Sequence, residues 1–133
     1  MSQENVESLR AGVEAFDRQD KAAWLSTFDN DAVMIPAREW PENAPVRGAE
    51  AIWDFYVEVT ATWEGGSWEL DEIIEAREDT LVVNARRETR GKASGAGFAF
   101  NYWSVMRFRR GKATCVEWFS NREAALEAAG LSE

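Results

Sequence analysis

The chain has 133 residues, with 24 acidic against 15 basic side chains, a formal net charge of −9 and a pI near 4.6. That balance disfavours nucleic acid and anionic membrane as partners, and no apolar run approaches the ~20 residues of a membrane span. Histidine is absent, so acid–base work near neutral pH falls to carboxylates, Tyr, Lys or water, the commonest metal ligand is missing, and neither a metal nor a cofactor is expected.

Val6, Leu9, Val13 and Phe16 recur at helical spacing and predict an amphipathic helix over 4–18. Asp20 caps a second short helix that buries Trp24, Leu25 and Phe28, and Asp29-Asn30-Asp31 ends it in a turn. Val33-Met34-Ile35 reads as a short strand cut off by Pro36. Pro36, Pro41 and Pro45 mark an irregular loop that carries Trp40, and a third helix over about 49–63 places Ile52, Phe55, Tyr56, Val59 and Trp63 on one face. Gly65-Gly66 stops it.

The hydrophobic period then changes from 3.6 to 2. Strands are predicted near 67–76 and 80–90, followed by a glycine-punctuated loop. The clearest strand alternates Phe98, Phe100, Tyr102, Met106 and Phe108, with Ser104 as its polar break. Arg110-Gly111 makes a tight hairpin into a last strand, 112–120, and a short helix follows at about 121–129, stopped by Gly130. Helices followed by a mainly antiparallel sheet give one α+β domain over 1–133. A long twisted sheet curls, the N-terminal helices fill its concave face, and what they leave unfilled is a pocket. Aromatics make up 12% of the chain, seven of them Trp, more than a simple core needs.

The order of elements, the Phe28-to-Pro36 segment and the ending Val116-Glu117-Trp118-Phe119-Ser120-Asn121-Arg122-Glu123 through Leu131 resemble the nuclear transport factor 2-like superfamily, within it the SnoaL-like branch. The resemblance spans nearly the whole chain. It implies a cone-shaped barrel with an apolar cavity, and a homodimer formed through the outer sheet face. It says little about chemistry, because one fold hosts many functions.

Residues 80–120 hold eight basic and two acidic side chains, Glu88 and Glu117. Ketosteroid isomerase chemistry needs a carboxylate base, a tyrosine and a protonated carboxyl; Pro36, Gly12 and Ser104 align there and none can serve. Scytalone dehydratase chemistry needs histidines. Limonene epoxide hydrolase fits in part. Arg86, two residues before Glu88, and Glu117 on the last strand match its working set, with Glu for Asp, whereas Met34 and Pro36 replace its water-holding tyrosine and asparagine.

If positions 86, 88 and 117 point into the cone, one Glu activates water, the other donates a proton, and Arg86 separates their pKa values. The alternative is a set of cross-strand ion pairs. Asn84 and Tyr102 share the inward parity assigned to this set, and Met34 and Phe119 complete the expected ligand-contacting residues. Trp40, in the loop over the cavity mouth, is expected to touch ligand. Trp24, Trp53, Trp63 and Trp68 read as core, and Trp103 with Trp118 as an outward pair suited to a dimer interface.

Cys115 reads as a small buried hydrophobe. As a lone cysteine, together with an N-terminus lacking a basic flank and an apolar run, it points to the cytoplasm. Two functions remain open: a cofactor-free hydrolase, lyase or cyclase acting on a small apolar or amphipathic molecule, or a non-catalytic binder or dimeric scaffold.

Overall fold

Helix α1 (Ser2–Asp17) buries Asn5, Leu9, Gly12, Ala15 and Phe16, one face at three- and four-residue spacing. It stops in a Schellman arrangement: Gln19 takes a φ of 57°, the Gln19 amide donates to Phe16 O and the Asp20 amide to Ala15 O. Asp20 at once caps α2 (Lys21–Leu25), its carboxylate accepting the Ala23 amide at 3.2 Å. The computed structural model describes residues 2–77 and 79–131 of the chain.

The remaining elements are β1 (Phe28–Ile35), β2 (Val46–Arg47), α3 (Ala49–Thr60), β3 (Trp63–Glu64), β4 (Glu69–Glu75), β5 (Thr80–Gly91), β6 (Gly97–Arg109), β7 (Lys112–Phe119) and α4 (Arg122–Ala128). One sheet runs β2-β1-β7-β6-β5-β3, with β4 also on β5. β5 serves two partners along its length, β4 against residues 81–86 and β3 against 90–91. The β1–β7 pairing is parallel and the others are antiparallel, so the sheet is mixed, as the expected "mainly antiparallel" allows. The Asp29-Asn30-Asp31 segment does not end the chain direction in a turn as expected. The Asp29 carboxylate accepts the Asp31 amide at 2.9 Å inside β1, where the register against β7 shifts. Turn chemistry at this site makes a bulge.

Two apolar clusters form on opposite sheet faces. The larger joins Leu9, Phe16, Trp24, Phe28, Ile52 and Trp53 from helices and β1 with Leu81, Val83, Met106, Phe108 and Val116. The smaller holds Val82 and Val105 against Ala125 and Leu126 of α4, with Ile74, Trp103 and Phe119 around it. Thus α1, α2 and α3 occupy the concave face and α4 covers part of the other. Helix α4 is closed at both ends, by Asn121 accepting the Ala124 amide at 2.8 Å and by Gly130 at φ 82° with the Leu131 amide on Leu126 O.

Candidate functional site: an aromatic cavity in the cone

Between the concave face and the three helices lies a cavity of about 130 Å3. Helix α1 contributes Ser8, Leu9, Gly12, Val13 and Phe16 to its wall, and α3 contributes Phe55, Tyr56, Val59 and Thr60. The sheet contributes Phe28, Trp63, Leu70, Val83, Ala85, Phe100, Ser104, Met106, Phe108, Ala113, Val116 and Trp118, while Trp24, Thr27, Trp40 and Trp68 complete it. Val59 belongs to the wall and is 41% exposed, which puts the open side at the C-terminal end of α3.

Aromatic rings hold one another in place around this space. Trp24 stacks on Phe28 at 4.1 Å and meets Trp53 at 5.5 Å and Tyr56 at 6.2 Å. Trp40 reaches in from the 36–45 loop to lie 5.1 Å from Tyr102, 5.7 Å from Trp118 and 6.1 Å from Phe100. Trp118 donates its indole hydrogen to the Tyr56 hydroxyl at 3.1 Å. Burial raises the Tyr56 phenol well above its usual value, and the Trp118 hydrogen bond opposes this only in part.

Among the described residues, no Asp, Glu, Lys or Arg side chain belongs to the wall. Two charged groups lie beside Trp68. Arg87 places its guanidinium 5.6 Å from the rings of both Trp63 and Trp68, donates to Gly65 O, and has its pKa lowered by burial. Asp17 is exposed; burial raises its carboxyl pKa, with the Trp68 amide and Arg87 opposing. Among the described residues, no group of three or more Cys, Asp or Glu side chains is placed to hold a metal ion.

The expected acid–base set does not assemble in this cavity, and its parity is corrected here. Ala85 pairs with Tyr102, Ser104 with Trp118 and Val105 with Glu117. The cavity face therefore carries residues 83, 85, 104 and 118, and Asn84, Arg86, Glu88 and Glu117 fall on the opposite one. Arg86 instead bonds to Glu88 at 3.1 Å and lies 3.9 Å from Asp71, with the Glu88 side chain 73% exposed. An exposed cluster of this kind contributes about 0–1 kcal/mol. Asn84 is buried on that face, giving its amide hydrogens to Asn101 Oδ1 at 2.8 Å and Tyr102 O at 3.1 Å.

Of the expected ligand-contacting residues, Trp40 is on the wall and Tyr102 stands behind it against Phe100 at 4.8 Å. Met34 is fully buried in the core opposite Val116, outside the wall. Phe119 lies on the opposite face with Val82, Val105 and α4. Trp118, expected outward with Trp103, points inward; Trp103 alone faces outward, with Arg122 5.8 Å from its ring. Cys115 is half-buried on the Glu117 face, and burial raises its thiol pKa.

Sequence reasoning passed over Tyr56 and Ser104 as wall residues. Ser104 had a signal, the polar break in an alternating apolar strand. Tyr56 had none, sitting among apolar residues of a helix face. Gly12 and Ser104 both reach the wall. A Cβ on Gly12 would lie 2.9 Å from Thr27 Oγ1, so a larger residue there would displace Thr27.

The SnoaL-like domain pattern matches residues 9–116. The chain belongs to the SnoaL-like family. The match runs from the middle of α1 into β7 and takes in the cavity wall except Ser8 and Trp118. TerC, co-crystallised with polyporic acid, is 23% identical over 96% of this chain and 98% of its own, with a TM-score of 0.75. A nuclear transport factor 2-like protein of unknown function from Burkholderia pseudomallei is 20% identical over 93% and 95%, also at 0.75. A protein of ketosteroid isomerase-like fold from Catenulispora acidiphila, in complex with trimethylamine, is 19% identical over 94% and 93%, at 0.71. No curated protein matches the chain. At these identities the solved structures share the fold with this SnoaL-like domain, a cone of α+β type.

Proposed function

We propose that this SnoaL-like protein is a non-catalytic receptor for a small, mainly apolar molecule held in the aromatic cavity. The observation that carries this reading is a wall without a charged side chain. General acid–base catalysis needs a group that exchanges protons near the working pH, and Tyr56, the wall's ionisable side chain, is pushed away from that range. The volume suits a compact ligand; a cavity of about 150 Å3 takes up a single benzene ring. Two proteins of the same fold, crystallised with trimethylamine and with polyporic acid, support a small-molecule role.

Titration of intrinsic tryptophan fluorescence with indane is the test, since Trp24, Trp40 and Trp118 are on the wall. Saturable binding is expected, flat from pH 5 to 9 and unchanged in Glu88→Gln and Glu117→Gln. Absence of any response, or a loss of binding in either variant, would remove the reading in favour of a site around the carboxylates.

We also propose self-association through the part of the outer face that α4 leaves uncovered, where Ile35 and Cys115 are half-buried apolar groups on β1 and β7, bordered by Phe119 at the margin of the α4 cluster. Sedimentation should give twice the 15.0 kDa chain mass, with Phe119→Glu shifting the species to the chain mass; a wild-type monomer would contradict it. A cytoplasmic location is part of the proposal, supported by the single free thiol, Cys115. No helix is long and apolar enough to cross a membrane among the described residues.

A further inference from the structure

We propose that the cavity selects a neutral ligand bearing a hydrogen-bond acceptor, such as a cyclic ketone, over a hydrocarbon, an ammonium or a carboxylate of the same skeleton. This rests on the cavity being the ligand site.

Of the wall's five hydroxyls, that of Ser8 on α1 belongs to a residue partly open to solvent, and the other four divide into two kinds. Thr27 and Thr60 give their hydrogens to the backbone oxygens of Trp24 and Tyr56, at 2.7 and 2.8 Å. Tyr56 is different: its oxygen already accepts from Trp118 Nε1, so what it has left to offer is its hydrogen. Ser104 is 2% exposed at the wall, and among the described residues its side chain makes no hydrogen bond. Two hydroxyls on the wall of an apolar space, one on α3 and one on β6, thus have donors available to whatever occupies it. A polar group held there without a partner penalises any occupant that cannot bond to it.

Charge is disfavoured in both senses. An ammonium would find aromatic faces, yet no carboxylate is on the wall, and at Trp63 and Trp68 the chain's own Arg87 already occupies the cation position. A carboxylate would find no cation on the wall, and burying it there unpaired is costly. A neutral carbonyl avoids both penalties and accepts from Ser104 Oγ or Tyr56 Oη.

Calorimetric titration of the whole chain with indane, 1-indanone, 1-aminoindane and indane-1-carboxylate tests this on one ring skeleton. For wild type, 1-indanone is expected to bind at least about ten-fold tighter than indane, the scale of one or two net hydrogen bonds, and both charged probes weaker than indane. Ser104→Ala and Tyr56→Phe should each shrink the ketone's advantage while leaving indane affinity in place. Equal binding of indane and 1-indanone by wild type would overturn the proposal and leave the receptor reading standing. Tightest binding by 1-aminoindane would overturn it in favour of a cation–π cage, and no binding by any of the four would overturn both. The wild-type comparison needs no variant, so a poorly folding Ser104→Ala does not weaken it.

Discussion

Ala85→Leu should abolish ligand binding and raise stability at once. Ala85 sits on β5, is almost fully buried, and points its methyl into the cavity between Leu70 of β4 and Tyr102 of β6. A leucine there extends into existing space, so it adds buried apolar surface without displacing packed neighbours. Cavity-filling substitutions of this kind yield about 0.5–2 kcal/mol. The same atoms occupy the volume a ligand needs, and forcing a ligand into an already filled site overpacks it at a cost of about 1–3 kcal/mol. Affinity for 1-indanone should fall by at least about ten-fold, each 1.4 kcal/mol being a factor of ten, while the melting temperature rises. Calorimetry and thermal denaturation on one preparation check both. Retained affinity in a stabilised variant would place the ligand outside this cavity.

Trp24→Ala should be the most destabilising change on the cavity wall. Trp24 is 4% exposed and joins the concave core at its centre, stacked on Phe28 and in contact with Trp53 and Tyr56. Removing a buried Trp costs about 3–5 kcal/mol, with the upper values where surroundings cannot collapse. Here they cannot collapse well, because the ring borders a space that is already open. Total stability of a domain is only about 5–15 kcal/mol, so the variant should unfold at much lower urea with an unchanged slope. A loss below about 1 kcal/mol would mean that the ring cluster is not close-packed.

What could be read from sequence was what is decided locally. The spacing of Leu9 and Phe16, the Asp20 cap, the Arg110-Gly111 turn with φ of 56° and 75°, and the Asn121 and Gly130 ends of α4 need no knowledge of distant partners. Strand β6 was legible too: one of its faces alternates cleanly, and Phe100, Ser104, Met106 and Phe108 all reach the wall. The two-residue strand β3 left no pattern to find, so Trp63 was counted into a helix that ends at Thr60.

Parity on β5 and β7 was not legible, for a physical reason. Leu81, Val82 and Val83 are all buried, because the helices of the concave side cover residues 81 and 83 while α4 covers Val82. Two covered faces erase the alternation that would distinguish them. On β7, the register shift opposite Arg107 and Phe108 adds a residue, and Val116, Trp118 and Phe119 are apolar on both faces. One residue of slip then moves every side chain to the other side, which is how Arg86, Glu88 and Glu117 came to be assigned inward. The cavity could be inferred from the aromatic excess; its lack of charge required the register.

A crystal soaked with a brominated 1-indanone would test the central claim most directly, since anomalous scattering locates the bromine without reference to the protein. The expected result is one peak enclosed by Trp24, Trp40 and Trp118, with the ketone oxygen within hydrogen-bonding distance of Ser104 Oγ or Tyr56 Oη. A peak on the opposite sheet face, beside Glu88 or Glu117, would contradict it.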